Sequence, residues 1–185
     1  MIKYNYRKPT FYKWEYPKGN PMNRKIFFLI YNACTKNERT KKAAALLSYS
    51  AEPFFYFVYA LGGLIILLFG RYRLLLKYAV IPFATLVYNT LLRKILRRPR
   101  PFVREENVES LTKHKASFSC PSNHAASSAV IALAWYCISP EISLVLLIPA
   151  ALTGLSRIMT GEHYPFDVML GWFIGLAAGI IGFVI

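Results

Sequence analysis

Five apolar segments fill most of the chain after residue 52 and limit the folds that it can adopt. They cover residues 53–70, 74–92, 124–138, 142–155 and 166–185. A helix needs about 20 apolar residues to cross the hydrocarbon core of a bilayer, and these segments come close to that length. Backbone N–H and C=O groups in lipid must pair within the protein, which favours helices. The pattern therefore predicts an all-α integral membrane bundle with about five transmembrane helices.

The net charge of the chain indicates which kinds of partner it binds. The 185 residues include 23 basic and 9 acidic side chains, which give a net charge of +14. Such an excess often indicates nucleic acid as a partner, but here the basic residues lie between apolar segments. We therefore predict contact with the bilayer and with a phosphate group, and no nucleic acid. The three cysteines are scattered along the chain, and we interpret them as free thiols.

The first 52 residues differ from the rest in composition. Residues 1–24 combine aromatic, basic and proline residues and are predicted to form a surface arm. Residues 25–50 contain two apolar pieces separated by T-K-N-E-R-T-K-K, which predicts a pair of interfacial amphipathic helices. The dipeptide Glu52-Pro53 is typical of a helix start, so we place the first span there. The predicted division is residues 1–52 as arm and interfacial helices and residues 53–185 as one membrane-embedded domain.

Three polar clusters separate the apolar segments. They comprise residues 93–101, 121–124 and 157–167. Because each span reverses the direction of the chain, five spans place all three clusters at one membrane face. The third and fourth segments are short, so their helices are expected to extend into the adjacent clusters. The three clusters are therefore predicted to converge on a single site.

The third cluster carries the most specific chemistry. Residues 156–167 read S-R-I-M-T-G-E-H-Y-P-F-D and contain the single aspartate of the chain. The i,i+4 spacing of His163 and Asp167 places both side chains on one face at a helix start. A carboxylate beside an imidazole fixes its tautomer and stabilises its cation. Arg157 adds a planar cation suited to phosphate oxygens. The three side chains together indicate chemistry on an anion. A His–Asp pair with this spacing can also be purely structural.

The other two clusters have simpler alternative explanations. Five of the nine residues in R-K-I-L-R-R-P-R-P, residues 93–101, are basic, and such a run also anchors lipid headgroups at the end of a span. In C-P-S-N-H, Ser122 is predicted to cap a helix whose first turn contains His124, where free N–H groups attract an anion. An ordinary helix start would have the same residues.

Several other side chains are predicted to have no catalytic role. His114 lies among lysines and is interpreted as solvated. The acidic loop with Glu105, Glu106 and Glu109 is either a lid or simply solvated. Tyr164 and Trp172 are interpreted as anchors at the membrane interface.

Taken together, the three clusters resemble the type 2 phosphatidic acid phosphatase superfamily. Its pattern is K-x6-R-P, then P-S-G-H, then S-R-x5-H-x3-D. This chain has R-x6-R-P at residues 93–101, P-S-N-H at 121–124, and the complete third motif at 156–167. The resemblance covers about residue 53 to residue 185. The sequences R-P-R-P-F and S-R-x5-H-Y-P-x-D are most similar to small bacterial undecaprenyl-diphosphate phosphatases.

The resemblance implies a role for each matching residue. His163 would attack phosphorus and form a phosphohistidine, Asp167 would orient His163, and His124 would protonate the leaving oxygen. The residues implied to hold the phosphate oxygens are Arg93, Arg100, Ser122, Asn123 and Arg157. The resemblance implies neither a metal nor a cofactor.

Two positions depart from the family pattern. Arg93 replaces the usual lysine and keeps its charge but not its geometry, so Lys94 is an alternative for the role. Asn123 replaces the usual glycine. If this position required a positive φ, asparagine would be the least costly non-glycine residue. Neither departure removes a catalytic group, so we expect activity.

The expected function is therefore metal-independent dephosphorylation of a membrane lipid phosphate. Undecaprenyl diphosphate is the first expected substrate, followed by phosphatidic acid and phosphatidylglycerol phosphate. The alternatives are a lipid phosphotransferase with the same histidine chemistry and an inactive lipid-phosphate-binding protein.

The location of the site across the membrane is open to two interpretations. We expect a multi-pass protein of the cell membrane, and the resemblance implies an extracytoplasmic site. However, all basic residues except Arg71, Arg73 and Lys77 fall on the predicted face of the site. The positive-inside rule would place that face in the cytoplasm. Cations retained for phosphate binding weaken that rule here, so we favour the extracytoplasmic side.

Overall fold

The structure, a computed structural model, describes residues 20–112 and 117–185. Most of the predicted surface arm and His114 lie outside the described residues. The described residues form seven α-helices: α1 (Pro21–Thr35), α2 (Glu38–Leu68), α3 (Tyr72–Leu96), α4 (Pro101–Arg104), α5 (Asn123–Ala134), α6 (Pro140–Met159) and α7 (Pro165–Gly179). A 3-10 turn (Trp135–Cys137) follows α5, and a π-helical turn (Ile180–Val184) follows α7. The predicted all-α class is confirmed.

In the described ranges, four helices are long and apolar enough to cross a membrane. They are α2, α3, α6 and α7 with its π-helical turn. Large apolar side chains stand exposed along these helices, among them Leu64, Phe83, Leu144 and Phe173. Exposed apolar surface of this extent is typical of helices that face lipid. The bundle is therefore built for a bilayer.

The third predicted span is shorter than expected. It corresponds to α5, which has 12 residues and lies well below the length that a bilayer requires. Nine of those residues are buried, and α5 packs against α3, α6 and α7 in the middle of the bundle. Hydropathy does not distinguish lipid from a protein interior, so the apolar composition of α5 led to the prediction of a full span.

Glycines on one face of α7 allow close contact with α5. A Cβ at Gly171 would lie 2.5 Å from the Ser122 carbonyl oxygen, and one at Gly179 would lie 2.6 Å from the Leu133 side chain. Gly175 makes a similar close approach to the Ala126 carbonyl group. These contacts fix the position of the N-terminus of α5 relative to α7.

The N-terminal region differs from the prediction. α2 is one helix of 31 residues, and Pro53 lies inside it, so the predicted boundary at residue 52 falls within a helix. The Asn37 side chain accepts from the Thr40 N–H and caps α2. The second half of the polar T-K-N-E-R-T-K-K run therefore forms the start of this helix. Membrane-buried helices tolerate an internal proline because neighbouring groups satisfy the freed carbonyl. Only α1 remains as a separate helix of the predicted interfacial pair.

Candidate active site

The three polar clusters meet at one end of the bundle, as predicted. The Arg93 guanidinium donates to the Pro121 carbonyl from Nε and Nη2, at 3.0 and 2.7 Å. Arg98 Nη1 lies 2.8 Å from Asp167 Oδ1. The Ser122 N–H donates to the Asp167 carbonyl at 2.9 Å. The first cluster therefore contacts both of the others.

A tight turn after α6 places His163 directly before α7. Gly161 adopts a φ of +79°, and a Cβ there would lie 3.0 Å from the Glu109 carbonyl oxygen, so glycine is required. The N–H groups of Glu162 and His163 both donate to the Arg157 carbonyl, at 3.0 and 3.1 Å. The backbone of Arg157 thus holds the turn that presents His163.

His163 is fully buried, with 0% of its side chain exposed. Neither ring nitrogen has a hydrogen-bond partner among the described residues. Burial, reinforced by the positive charges of Arg100 and Arg93, holds the pKa of His163 well below its ordinary value. The ring is therefore neutral at neutral pH and retains a lone pair for nucleophilic attack.

Asp167 lies beside His163 but is engaged elsewhere. Its Oδ2 is 3.9 Å from His163 Nδ1, which is longer than a hydrogen bond. Oδ2 accepts from the Tyr164 N–H at 2.9 Å, and Oδ1 accepts from Arg98. The Arg98 guanidinium also stacks on the Tyr164 ring, 4.6 Å from its centroid. The family pattern specifies only the first and last cations of this cluster, so no role was predicted for Arg98.

A buried carboxylate holds two of the predicted phosphate-binding arginines. Arg157 and Arg100 are 1% and 6% exposed, and both approach Glu162 Oε2, at 3.4 and 3.5 Å. Arg157 also donates to the Ser48 carbonyl on α2. The distances to Glu162 are longer than those of strong charge-assisted hydrogen bonds. Glu162 falls at an unspecified position of the third motif, S-R-x5-H-x3-D, so it was not predicted as a site residue.

Geometry favours Arg93 over the alternative Lys94 for the first motif position. Arg93 lies against the start of α5, whereas Lys94 is exposed. Ser122 caps α5 as predicted, with its Oγ 3.5 Å from the Ala125 N–H. Ser122 is fully buried beside Asp167.

Asn123 does not occupy a position of positive φ. It is the first residue of α5, and the positive-φ residues lie elsewhere among the described residues. Its side-chain amide accepts from Asn89 and donates to Thr90 Oγ1 at 3.0 Å. Asn123 therefore joins α5 to α3, which the explanation based on φ did not foresee.

His124 stands at the side of the site that faces a cavity. Its side chain is 25% exposed, and Nε2 lies 3.6 Å from Glu52 Oε2 on α2. A cavity of about 250 Å³ adjoins both groups between α2, α3, α5 and α6. Phe55, Leu86 and Ile131 give this cavity apolar walls. His124 thus lies between the buried cluster and an apolar space.

α1 is attached directly to the loop that carries His163. Arg24 on α1 binds Glu105 at 2.8 Å, and the Tyr164 hydroxyl donates to the same carboxylate at 2.9 Å. Asn23 Oδ1 accepts from the Phe166 N–H at 2.9 Å. Although burial raises the pKa of Glu105, the bonds from Arg24 and Tyr164 outweigh it and leave that pKa below its ordinary value.

These contacts correct three predictions. Tyr164 is 2% exposed and packs on Phe27, so it is a core residue and not a membrane anchor. Trp172 is partly buried, and its indole N–H donates to the Ala150 carbonyl. Glu105 is buried and paired, so this part of the acidic loop is not simply solvated.

Residues 74–185 match the family model of the PAP2 superfamily. The chain belongs to the PAP2 superfamily. The resemblance to the type 2 phosphatidic acid phosphatases is thereby confirmed, and the match contains all three motif clusters. It leaves out α1 and α2, which nonetheless contact the PAP2 motifs through Asn23, Ser48 and Glu52.

Individual relatives agree with this assignment. The chain is 38% identical over 128 residues to the undecaprenyl-diphosphatase BcrC of Bacillus subtilis. The aligned region covers 68% of this chain and 66% of that protein. It is 28% identical over 109 residues to a lipid A 1-phosphatase of Rhizobium etli, covering 52% and 47% of the two chains. These matches span less than two thirds of either relative. The crystal structure of Aquifex aeolicus LpxE superposes with a TM-score of 0.72 and 26% identity, covering 89% of this chain and 96% of that one.

Proposed function

We propose that this PAP2 protein hydrolyses a membrane lipid phosphate or diphosphate, with undecaprenyl diphosphate as the first candidate. The observation that carries the proposal is His163, a buried neutral imidazole surrounded by arginines. Such a ring is a nucleophile, and guanidinium groups stabilise the charge of a transferring phosphoryl group. The name of the Bacillus relative supports the choice of undecaprenyl diphosphate.

In the proposed mechanism, His163 attacks phosphorus and forms a phosphohistidine that water then hydrolyses. Arg93, Arg100 and Arg157 stabilise the phosphoryl oxygens, and Ser122 and Asn123 shape the N-terminus of α5 beside them. His124 protonates the leaving oxygen. Asp167 positions His163 at the observed 3.9 Å, and this contact is expected to shorten when the ring acquires positive charge. No step requires a metal or a cofactor.

The cavity beside His124 supports a lipid as the substrate. Its walls are largely apolar, and it lies between helices whose outer surfaces face the bilayer. A leaving group that carries a hydrocarbon chain would place its oxygen at His124 and the start of its chain along Phe55 and Ile131. A small soluble phosphate ester has no hydrocarbon chain to pack against these apolar walls.

A substrate panel with purified protein in detergent tests the proposed function. We expect phosphate release from undecaprenyl diphosphate, or from phosphatidic acid or phosphatidylglycerol phosphate, in excess EDTA and without any added acceptor. Vanadate should inhibit, because it resembles the five-coordinate phosphorus centre. Release that requires an alcohol acceptor would favour a phosphotransferase, and binding without turnover would favour an inactive lipid-phosphate-binding protein. A requirement for magnesium would contradict the proposed chemistry.

We further propose that the site faces the extracytoplasmic side of the cell membrane. Cys120 is a poor native probe of this, because it is buried and burial raises the pKa of its thiol to about 12. A better probe is Glu106→Cys, an exposed position on the face of the site, with the three native cysteines changed to serine. An impermeant maleimide should label it on intact cells, whereas Arg71→Cys at the opposite end should require permeabilisation. The reverse pattern would place the site in the cytoplasm.

A further inference from the structure

We propose that Glu52 on α2 is the positioning residue of His124, holding its imidazolium in place to protonate the leaving group. This inference rests on the proposed function, because it assigns a partner to the acid of that reaction. Glu52 lies outside the part of the chain that matches the PAP2 family model. Its position was predicted only as the start of the first span.

The geometry gives Glu52 two distinct contacts. Oε2 lies 3.6 Å from His124 Nε2, and Oε1 accepts from the Tyr56 hydroxyl at 2.7 Å. Tyr56 is one helical turn further along α2, so its hydrogen bond fixes the rotamer of Glu52. The Glu52 side chain is 39% exposed and lines the same cavity as His124. A leaving group in that cavity would meet the two groups together.

The charges around His124 explain why it needs an anion. Burial of the ring and the positive charge of Arg157 on α6 both oppose protonation of His124, while the nearby His163 is neutral. Glu162 acts in the opposite direction, but its carboxylate is engaged by Arg100 and Arg157. Glu52 contacts the ring directly, and an adjacent carboxylate favours the charged form of an imidazole.

The proton balance of the reaction requires a charged His124 at the start. In the first step His163 forms the N–P bond while the P–O bond to the lipid breaks, and the leaving oxygen keeps the electron pair. That oxygen takes the proton of His124. In the second step water attacks phosphorus, its proton returns to His124, and the electron pair of the N–P bond returns to His163. Glu52 exchanges no proton overall and stabilises His124 whenever it is charged.

The test compares leaving groups in the full-length protein. We expect Glu52→Gln to lower kcat/KM on dioctanoyl phosphatidic acid, which loses an alkoxide, by about tenfold or more. On p-nitrophenyl phosphate, whose leaving group needs little protonation, the loss should stay below about threefold. His124→Ala should show the same contrast with a larger loss. The double variant should be no slower than His124→Ala alone, because Glu52 acts through that ring.

Two controls separate this role from a structural one. Glu38→Gln makes the same change at an exposed position near the start of α2 and should leave both rates unaltered. Tyr56→Phe keeps the carboxylate but removes its hydrogen bond, and should give a smaller loss with the same dependence on the leaving group. Turnover of p-nitrophenyl phosphate reports that each variant is folded.

Three results would overturn the inference. These are an equal loss on both substrates for Glu52→Gln, an additional loss in the double variant, or no leaving-group dependence for Tyr56→Phe. Failure of the wild-type protein to hydrolyse either ester would instead overturn the proposed function.

Discussion

Replacing His163 with alanine is expected to reduce phosphate release by at least about 1,000-fold, because the nucleophile of the reaction is lost. The fold should survive, since neither ring nitrogen has a hydrogen-bond partner among the described residues. The measurement is phosphate release by purified wild-type and variant proteins with matched elution from a sizing column.

The covalent intermediate gives a second measurement of the same prediction. Wild-type protein quenched during turnover of a labelled lipid phosphate should carry acid-labile, base-stable phosphate, and His163→Ala should carry none. His114→Ala is the matched control and should retain both activity and labelling. Substantial turnover by His163→Ala would contradict the phosphohistidine mechanism.

Replacing Arg157 with alanine is expected to affect both activity and stability. The side chain is 1% exposed and binds Glu162 and the Ser48 carbonyl, so its loss removes one of the two arginines from the buried Glu162 carboxylate and a donor from the Ser48 carbonyl. Breaking a buried ion pair costs about 3–5 kcal/mol in the free energy of unfolding. Activity should fall because one of the three cations proposed to hold the phosphoryl oxygens is gone.

A second substitution separates the two effects. In Arg157→Ala/Glu162→Gln the buried carboxylate is neutralised, so thermal unfolding in detergent should recover part of the lost midpoint temperature. Phosphate release should stay low, because the cation is still missing. Recovery of activity together with stability would show that Arg157 serves the fold and not the phosphate.

The sequence predicted the helical class and the motif residues well, because both follow from local patterns. The lengths of the apolar segments identified α2, α3, α6 and α7. The residue type of Ser122 was enough to predict it as a helix cap. The errors concern burial. α5 is rich in alanine and serine and lies inside the bundle, yet its hydropathy is that of a lipid-facing helix. Pro53 suggested a helix start, but α2 already begins at Glu38. The residues before Pro53 are part of the same helix, and Ala44, Ser48 and Ala51 among them are buried.

The predicted site residues lie together at one end of the bundle, but the contacts that they make were not predictable. Arg98 and Asp167 are separated by 69 residues, and Arg24 and Glu105 by 81. No local spacing encodes such contacts, which depend on how the helices pack. Glu162 could have been suspected, since an acidic residue next to His163 in an apolar surrounding requires a buried cation as partner.

The enclosure of α5 bears on how the protein responds to membranes of different thickness. A change in bilayer thickness acts on helices that touch lipid, mainly by altering their tilt. α5 has no exposed residue and is held against α7 by the contacts at Gly171 and Gly179. His124 and Ser122 therefore move with the helix that follows His163, and the separation of the two histidines is set by protein packing alone. Hydrophobic mismatch would then alter the entry of a lipid into the cavity while the arrangement of the reacting groups stays constant.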